Sequence, residues 1–385
     1  MTDYIVIGAG LSGAVVARHL AEKGNKVIIW DRRTHIGGNM YDYNDEYGIL
    51  VQQYGPHIFH TKDKAVYDYF CRFVAMKPYK LTYMACIDGK FTPTPFNYQT
   101  IDDFYSKEKA AELKKHIEEY FSNRKSATVL EVLHSEDSVV RNYGEFLFAK
   151  DYSLYTAKQW GISPEQVDPS ILKRVPLVFS YERDYFSDPW QAMPDTSFNA
   201  FFQSLLNHPN IEVRLGIEAL AHLKVSPDGT SLLLDGTPCS ATVIYTGALD
   251  ELFGTDEGPL PYRSLRFEWH HENKTSYQNA AVVAYPQADG YTRITEYNKL
   301  PIQLNTNGTT YAVEYPVQYK PGEKNEPYYP LLTKESQLIA QHYKERAKKI
   351  KKFYFCGRLA DFKYYNMDQA IMRAWEVCNQ IDCNL

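Results

Sequence analysis

Residues 4–31 read YIVIGAGLSGAVVARHLAEKGNKVIIWD, and their order decides the fold. Tyr4–Ile7 is a short apolar run that predicts a strand buried on both faces, as in a parallel sheet. Gly8, Gly10 and Gly13 follow, and an alanine-rich stretch after them predicts a helix. A second apolar run, Lys26–Trp30, predicts the next strand and ends on Asp31. Strand, G-x-G-x-x-G, helix, strand and acid in this register make a βαβ unit that binds a dinucleotide. The glycines let the backbone turn sharply and approach a pyrophosphate, whose charge then sits at the helix N-terminus. Asp31 is placed to bind a ribose hydroxyl.

Just past that acid comes Arg32-Arg33-Thr34-His35-Ile36-Gly37-Gly38-Asn39. A second glycine pair brings more backbone to the same dinucleotide, an extension familiar in FAD-binding units and seldom needed for NAD. Tyr54-Gly55-Pro56-His57-Ile58-Phe59-His60-Thr61 holds two histidines, but no third ligand follows at a metal-binding spacing. They are read as loop histidines beside a planar cofactor, and no metal is expected. Near the end, Phe353–Cys356 predicts a strand running into Gly357-Arg358. Met367, Ile371, Trp375, Cys378 and Ile381 then share one face of a closing helix, which brings another helix N-terminus to the cofactor. The nucleotide domain is thus assembled from separated pieces of chain. No second G-x-G-x-x-G offers a site for NAD(P)H, and no internal repeat is present.

At 385 residues the chain exceeds what one hydrophobic core holds, so two or three subdomains are expected. A net charge of −5 gives no support to a nucleic-acid or membrane partner. No run is long and apolar enough to span a bilayer, and the N-terminal stretch lacks the basic region of a signal peptide. Six cysteines without CxxC spacing suit reduced thiols and a cytoplasmic location. The 32 tyrosines suit wet pockets that stack rings and hydrogen-bond hydroxyls.

Between the nucleotide segments, Met84–Thr92 predicts a hairpin about Asp88-Gly89. Helical periodicity runs from Ile101 to Phe121 and again over Tyr143–Tyr155, a helical insertion. Ile162–Pro194 is punctuated by prolines and reads as loop, with a helix at Phe198–Asn207. Leu232–Gly247 predicts a hairpin about Asp235-Gly236 and then a strand, Val243–Tyr245. Ala280–Tyr285 and Thr309–Tyr315 read as strands, with Tyr311, Val313 and Tyr315 on one face. Lys344–Lys352 is a basic cluster read as a solvated helix end.

The ordered motifs IGAGLSGAV, HIGGN, YGPHIFHT, YTAKQWG, ILKRVP, DYFSDPWQAMP, YTRITE, EPYYP and CGRLADFKYYNMDQAI resemble those of the UDP-galactopyranose mutase family along nearly the whole chain. The resemblance implies an α/β fold: an FAD-binding Rossmann-like domain with an inserted helical bundle and an antiparallel β-sheet domain. On that reading 1–80, 200–260 and 350–385 bind FAD, and 98–162 is helical with an adjoining mobile loop at 163–190. Segments 81–97, 191–199 and 261–349 form the substrate sheet. The implied reaction interconverts pyranose and furanose forms of a nucleotide sugar, with N5 of reduced FAD attacking the anomeric carbon and no net redox change. A homodimer is also implied.

The protein must neutralise a diphosphate leaving group, which guanidinium forks do best. The resemblance gives direct roles in the reaction to Arg174, Arg293 and His60, with Arg174 on the mobile loop. Tyr185, Tyr315 and Tyr364 match tyrosines that bond the phosphates, and Tyr155, Thr156 and Trp160 match the nucleoside and sugar wall. Besides Gly8, Gly10 and Gly13, the implied cofactor contacts are Ser12, Asp31, Arg32, Gly38, Asn39, His57, Ile58, His60 and Ile217. Arg358, Tyr365, Asn366, Met367 and Asp368 complete them.

Departures from the family concern the sugar. Leu81 and Val283 fall where galactose-using members carry asparagines, and both belong to the expected substrate site. A site that loses hydroxyl partners suits a sugar lacking that hydroxyl, such as the 6-deoxy sugar of dTDP-fucose. Asp103 stands near the place of a uracil-reading glutamine, leaving the base open to thymine, and Asn366 replaces an aspartate beside the cofactor. The main reading is a UDP-galactopyranose mutase; the alternative converts dTDP-fucopyranose to dTDP-fucofuranose. An oxidoreductase of the amine-oxidase type would share the N-terminal motifs but needs no diphosphate clamp.

Overall fold

Tyr4–Ile7 runs parallel between Val27–Asp31 and Thr242–Tyr245. Ile211–Leu215 and Phe353–Phe355 extend this five-stranded parallel sheet at its two edges. The computed structural model describes residues 2–161, 176–304, 306–323 and 325–383. Val6, Val16, Leu20 and Ile29 are fully enclosed between the sheet and its helices, as the unbroken apolar runs require. Helix Leu11–Glu22 packs against the closing helix Met367–Cys383, so the first and last helices of the chain lie side by side.

A second sheet has seven strands, in the order Tyr329–Pro330, Tyr262–Glu272, Thr309–Gln318, Arg293–Glu296, Val282–Ala284, Tyr83–Ile87 and Lys90–Pro93. It is antiparallel except where Val282–Ala284 meets Tyr83–Ile87. The expected hairpin closes through Asp88 and Gly89, both at positive φ, the conformation a two-residue turn demands.

The helical insertion differs in detail from the periodicity. Ile101–Phe121 is split into Tyr98–Phe104 and Lys107–Tyr120, because Ser106 caps a new helix with its side chain. The helix expected at Tyr143–Tyr155 starts earlier, at Ser138, where Asp137 accepts from Val139 N and Val140 N. It continues through a π turn, Phe148–Tyr152, into Ser153–Trp160.

The loop expected over Ile162–Pro194 is corrected within its described part. Leu177–Val178 pairs with Ser126–Ala127. Trp190–Pro194 is the central strand between Phe59–Thr61 and Met76–Pro78. Its prolines misled because Pro194 closes the strand. All six cysteines are free thiols, and no helix among the described residues is long and apolar enough to cross a membrane.

Candidate active site

Two cavities meet at the C-terminal edge of the parallel sheet. The first is lined by the glycine turn, Asp31, Arg32, Gly38, Asn39, Ile217 and Glu326. The second lies between the nucleotide unit, the seven-stranded sheet and helix Ser153–Trp160. His57, Arg358, Tyr365, Asn366 and Met367 line both, so the cavities share one junction.

The first cavity fits a dinucleotide on its own geometry. A Cβ on Gly13 would sit 2.1 Å from the Gly8 carbonyl oxygen, and one on Gly38 would sit 3.0 Å from Gly10 Cα. Gly37 N donates to Ala9 O at 2.9 Å, which draws the second glycine pair onto the first. Helix Leu11–Glu22 begins at Gly10 with no side-chain cap and no acid in its first turn. Its terminal N–H groups therefore face the cavity ready for an anion. Asp31 accepts from Ala9 N at 2.7 Å and from Arg33 N at 2.8 Å. It thus braces the turn and keeps its remaining lone pairs for a ribose hydroxyl. Arg32 lies in the same wall, ion-paired to Glu326 at 3.1 Å. Ser12 lines the turn and is buried.

At the junction, Arg358 donates to Tyr365 O at 2.9 Å and to Tyr328 O at 3.2 Å, with its guanidinium 4.8 Å from the Tyr364 ring centroid. Tyr364 in turn stacks on Tyr329 at 5.8 Å. Tyr365 is held by its hydroxyl, which donates to Asp361 at 3.1 Å. Burial holds the His57 imidazole down at about 4, and the cations Arg358 and Arg293 push the same way. His57 is therefore neutral near pH 7.

In the second cavity Arg293 projects from its strand with Nε donating to Glu314 at 2.8 Å. Ile58 and His60 lie on this cavity only. His60 Nδ1 is 2.6 Å from Asp188 Oδ2, and its ring stacks on Phe186 at 3.7 Å. Tyr155, Thr156, Tyr185, Tyr364 and Leu81 also line it.

Several expected residues stand elsewhere. Val283 is fully buried on the opposite face of its strand, and Val282 and Ala284 line the cavity instead. Successive strand residues point to opposite faces, so a one-residue slip in reading YTRITE exchanges wall for core. Tyr315 falls to the same rule. Its neighbour Glu314 faces Arg293, while the Tyr315 hydroxyl donates to Glu268 at 3.0 Å on the far side. Asp368 lines neither cavity, because its carboxylate turns back to accept from Gln369 N at 2.8 Å in the first helical turn. Asp103 is also outside, accepting from Gln99 Nε2 at 2.9 Å on the surface of the helical insertion. Arg174 lies outside the described residues, as does the side chain of Trp160.

The sequence reading missed Tyr83, Asp151, Phe186, Val282, Tyr328 and Tyr329, all of which line the second cavity. EPYYP and DYFSDPW already contained three of the aromatics. Which ring faces inward is a tertiary property.

A family model described as UDP-galactopyranose mutase matches residues 150–364, and one for an NAD(P)-binding Rossmann-like domain matches 6–73. The dTDP-fucopyranose mutase of Escherichia coli is 34% identical over 383 residues, which cover 99% of this chain and 98% of that protein. A UDP-galactopyranose mutase of Mycoplasma pneumoniae is 33% identical, over 98% of this chain and 96% of that one. Among solved structures, a reduced UDP-galactopyranose mutase matches with a TM-score of 0.73 at 15% identity, covering 100% of this chain and 96% of its own. That last likeness concerns the fold alone. The chain belongs to the UDP-galactopyranose mutase family and is an isomerase of the pyranose-mutase kind.

Proposed function

We propose that this protein interconverts the pyranose and furanose forms of a nucleoside-diphosphate hexose, with reduced FAD as its cofactor. The observation that carries this reading is the shared junction, where Arg358 stands between a dinucleotide cradle and a cavity holding Arg293. When bound in its reduced form, the flavin supplies a nucleophile for the anomeric carbon and leaves the reaction at the oxidation level at which it entered.

The remaining work falls to the chain. Gly8, Gly10, Gly13 and Gly38 hold the cofactor pyrophosphate against backbone N–H groups, and Asp31 orients its ribose. Arg293 and Arg358, joined by Arg174 of the family motif, neutralise the substrate diphosphate as it leaves. Tyr185, Tyr329 and Tyr364 offer hydroxyl donors around that charge. Neutral His57 at the junction adds no positive charge beside the reacting centre, and the 2.6 Å contact of Asp188 with Nδ1 holds the His60 ring in one orientation. The nucleoside then extends along helix Ser153–Trp160. A three-part domain division and a homodimer belong to the same reading.

A second reading concerns the sugar. Leu81, Val282 and Ala284 give the sheet side of the cavity an aliphatic wall, and the E. coli relative named above carries the name dTDP-fucopyranose mutase. An aliphatic wall leaves a hexose hydroxyl unpaired and accepts a methyl group. This supports a 6-deoxy sugar over galactose.

The test is to incubate dithionite-reduced enzyme with UDP-galactopyranose and with dTDP-fucopyranose and to follow furanose formation. Turnover of either by the reduced form, none by the oxidised form, and no oxygen or NAD(P)H consumed with product is the expected result. No isomerisation of any nucleotide sugar would sink the mutase reading. Fast turnover of UDP-galactose with none of dTDP-fucose would sink the 6-deoxy reading.

A further inference from the structure

Asp151 sits in the π turn Phe148–Tyr152, between helix Ser138–Leu147 and helix Ser153–Trp160. A π turn inserts an extra residue into a helix and re-aims the side chains around it, and such turns collect at functional sites. Here the turn brings a carboxylate to the wall of the second cavity, beside Tyr155 and Thr156.

That carboxylate lacks a hydrogen-bond donor among the described residues. Lys150, the residue before it, pairs with Asp88 at 3.0 Å, and Lys158, the cation whose charge reaches it, is spent elsewhere: its ammonium donates to Tyr285 O, Ala288 O and Tyr291 O at 2.7, 2.8 and 2.8 Å. Burial pushes the Asp151 carboxyl up to about 7, and the charge of Lys158 offsets only part of this. A wall group in that condition is costly unless a ligand supplies the missing partner.

The position of Asp151 in the cavity says which part of a ligand that is. The reacting sugar has to lie at the junction, where His57, Arg358 and Met367 face both cavities. The diphosphate belongs with Arg293, and a carboxylate repels it. What remains for the helix wall is the base.

We propose that Asp151 reads the imide edge of a pyrimidine base, accepting a hydrogen bond from ring N3–H. The inference rests on the mutase reading above. In its protonated form the same group also donates to a neighbouring ring carbonyl, which makes it complementary to both uracil and thymine. Asp151 is thus a specificity-determining residue for the base, with no part in the chemistry at the anomeric carbon.

The experiment measures binding of UDP and dTDP, and of the N3-methyl form of each, to the FAD-loaded enzyme by titration calorimetry. Wild type should bind each nucleotide about tenfold or more tightly than its methylated form, since methylation removes the donor and strands a buried acceptor. Asp151→Ala should bind each nucleotide and its methylated form within about twofold of each other, the size of effect left when no hydrogen bond distinguishes them. Asp151→Asn should keep the preference, because an amide still offers an acceptor and a donor. Bound flavin reports that each variant is folded. Equal binding of a nucleotide and its methylated form by wild type overturns the inference, whatever the variants do, and so does an undiminished preference in Asp151→Ala. If no form binds UDP or dTDP, the mutase reading fails and takes this inference with it; binding without sensitivity to N3–H removes this inference alone.

Discussion

Arg293 and Glu314 face each other directly across neighbouring antiparallel strands, with Nε and Nη2 of the arginine both 2.8 Å from one carboxylate oxygen. The carboxylate is almost wholly buried, and its second oxygen has no partner among the described residues. Burial raises the Glu314 pKa, and Arg293 lowers it only in part. The pair therefore aims a guanidinium into the cavity at the expense of fold stability. Arg293→Ala should destabilise the protein by about 3–5 kcal/mol, because it leaves Glu314 buried and unpaired. Arg293→Ala with Glu314→Gln should recover much of that loss in urea unfolding while nucleoside-diphosphate binding stays weak. Full stability in the single variant would contradict this account.

The glycine turn makes a sharper demand. An added methyl in Gly13→Ala would stand 2.1 Å from a backbone oxygen that has no side-chain freedom to yield. The cradle must open, and each ~1.4 kcal/mol of lost complementarity weakens cofactor binding tenfold. Purified Gly13→Ala should retain about tenfold less flavin than wild type or worse, read from flavin absorbance against protein. Gly216→Ala, where nothing lies within 4 Å of the added Cβ, is the control and should keep its flavin despite strain at positive φ.

Sugar preference should follow the aliphatic wall. Leu81→Asn or Val282→Asn places an amide where a hexose hydroxyl would otherwise meet carbon. The ratio of kcat/KM for UDP-galactose over dTDP-fucose should rise by about tenfold or more. Val283→Asn faces the core and should cost stability without that gain. An unchanged ratio in both wall variants would remove Leu81 and Val282 from sugar selection.

His57 should make stability depend on pH. Its folded pKa is depressed from the ordinary 6.5 to about 4 by burial. Neutral His57 thus contributes stability that is fully present above pH 6.5 and lost as pH falls towards 4, by up to about 3 kcal/mol. Asp42 and Asp250, both pushed up to about 6 by burial, act in the opposite direction. The comparison is therefore between wild type and His57→Gln. Urea midpoints should diverge between pH 7 and pH 5, with wild type losing more; parallel curves would place His57 in a wetter setting.

Much of the fold was legible because its signals are local. The strands Tyr4–Ile7 and Val27–Asp31, their glycine turn and the hairpin at Asp88-Gly89 each depend on a few adjacent residues. Trp190–Pro194 was not legible: it reads as loop in its own sequence and becomes a strand only between Phe59–Thr61 and Met76–Pro78. The lining of the second cavity was illegible for the same reason. Val283 for Val282, and Tyr315 for the tyrosines of EPYYP, are errors of facing on strands whose register is set by partners far along the chain.

The sequence alone determined the cofactor cradle, since the steric requirement for glycine and the uncapped helix N-terminus are properties of a single contiguous unit. It also carried the family, through motifs whose order survives without coordinates. Tertiary structure decided which side chains line the second cavity. Strand residues alternate faces, so pairing Arg293 with Glu314 puts Val282 on the wall and Val283 in the core. A π turn, a backbone event that no residue type in 148–152 announces, brought Asp151 to the cavity.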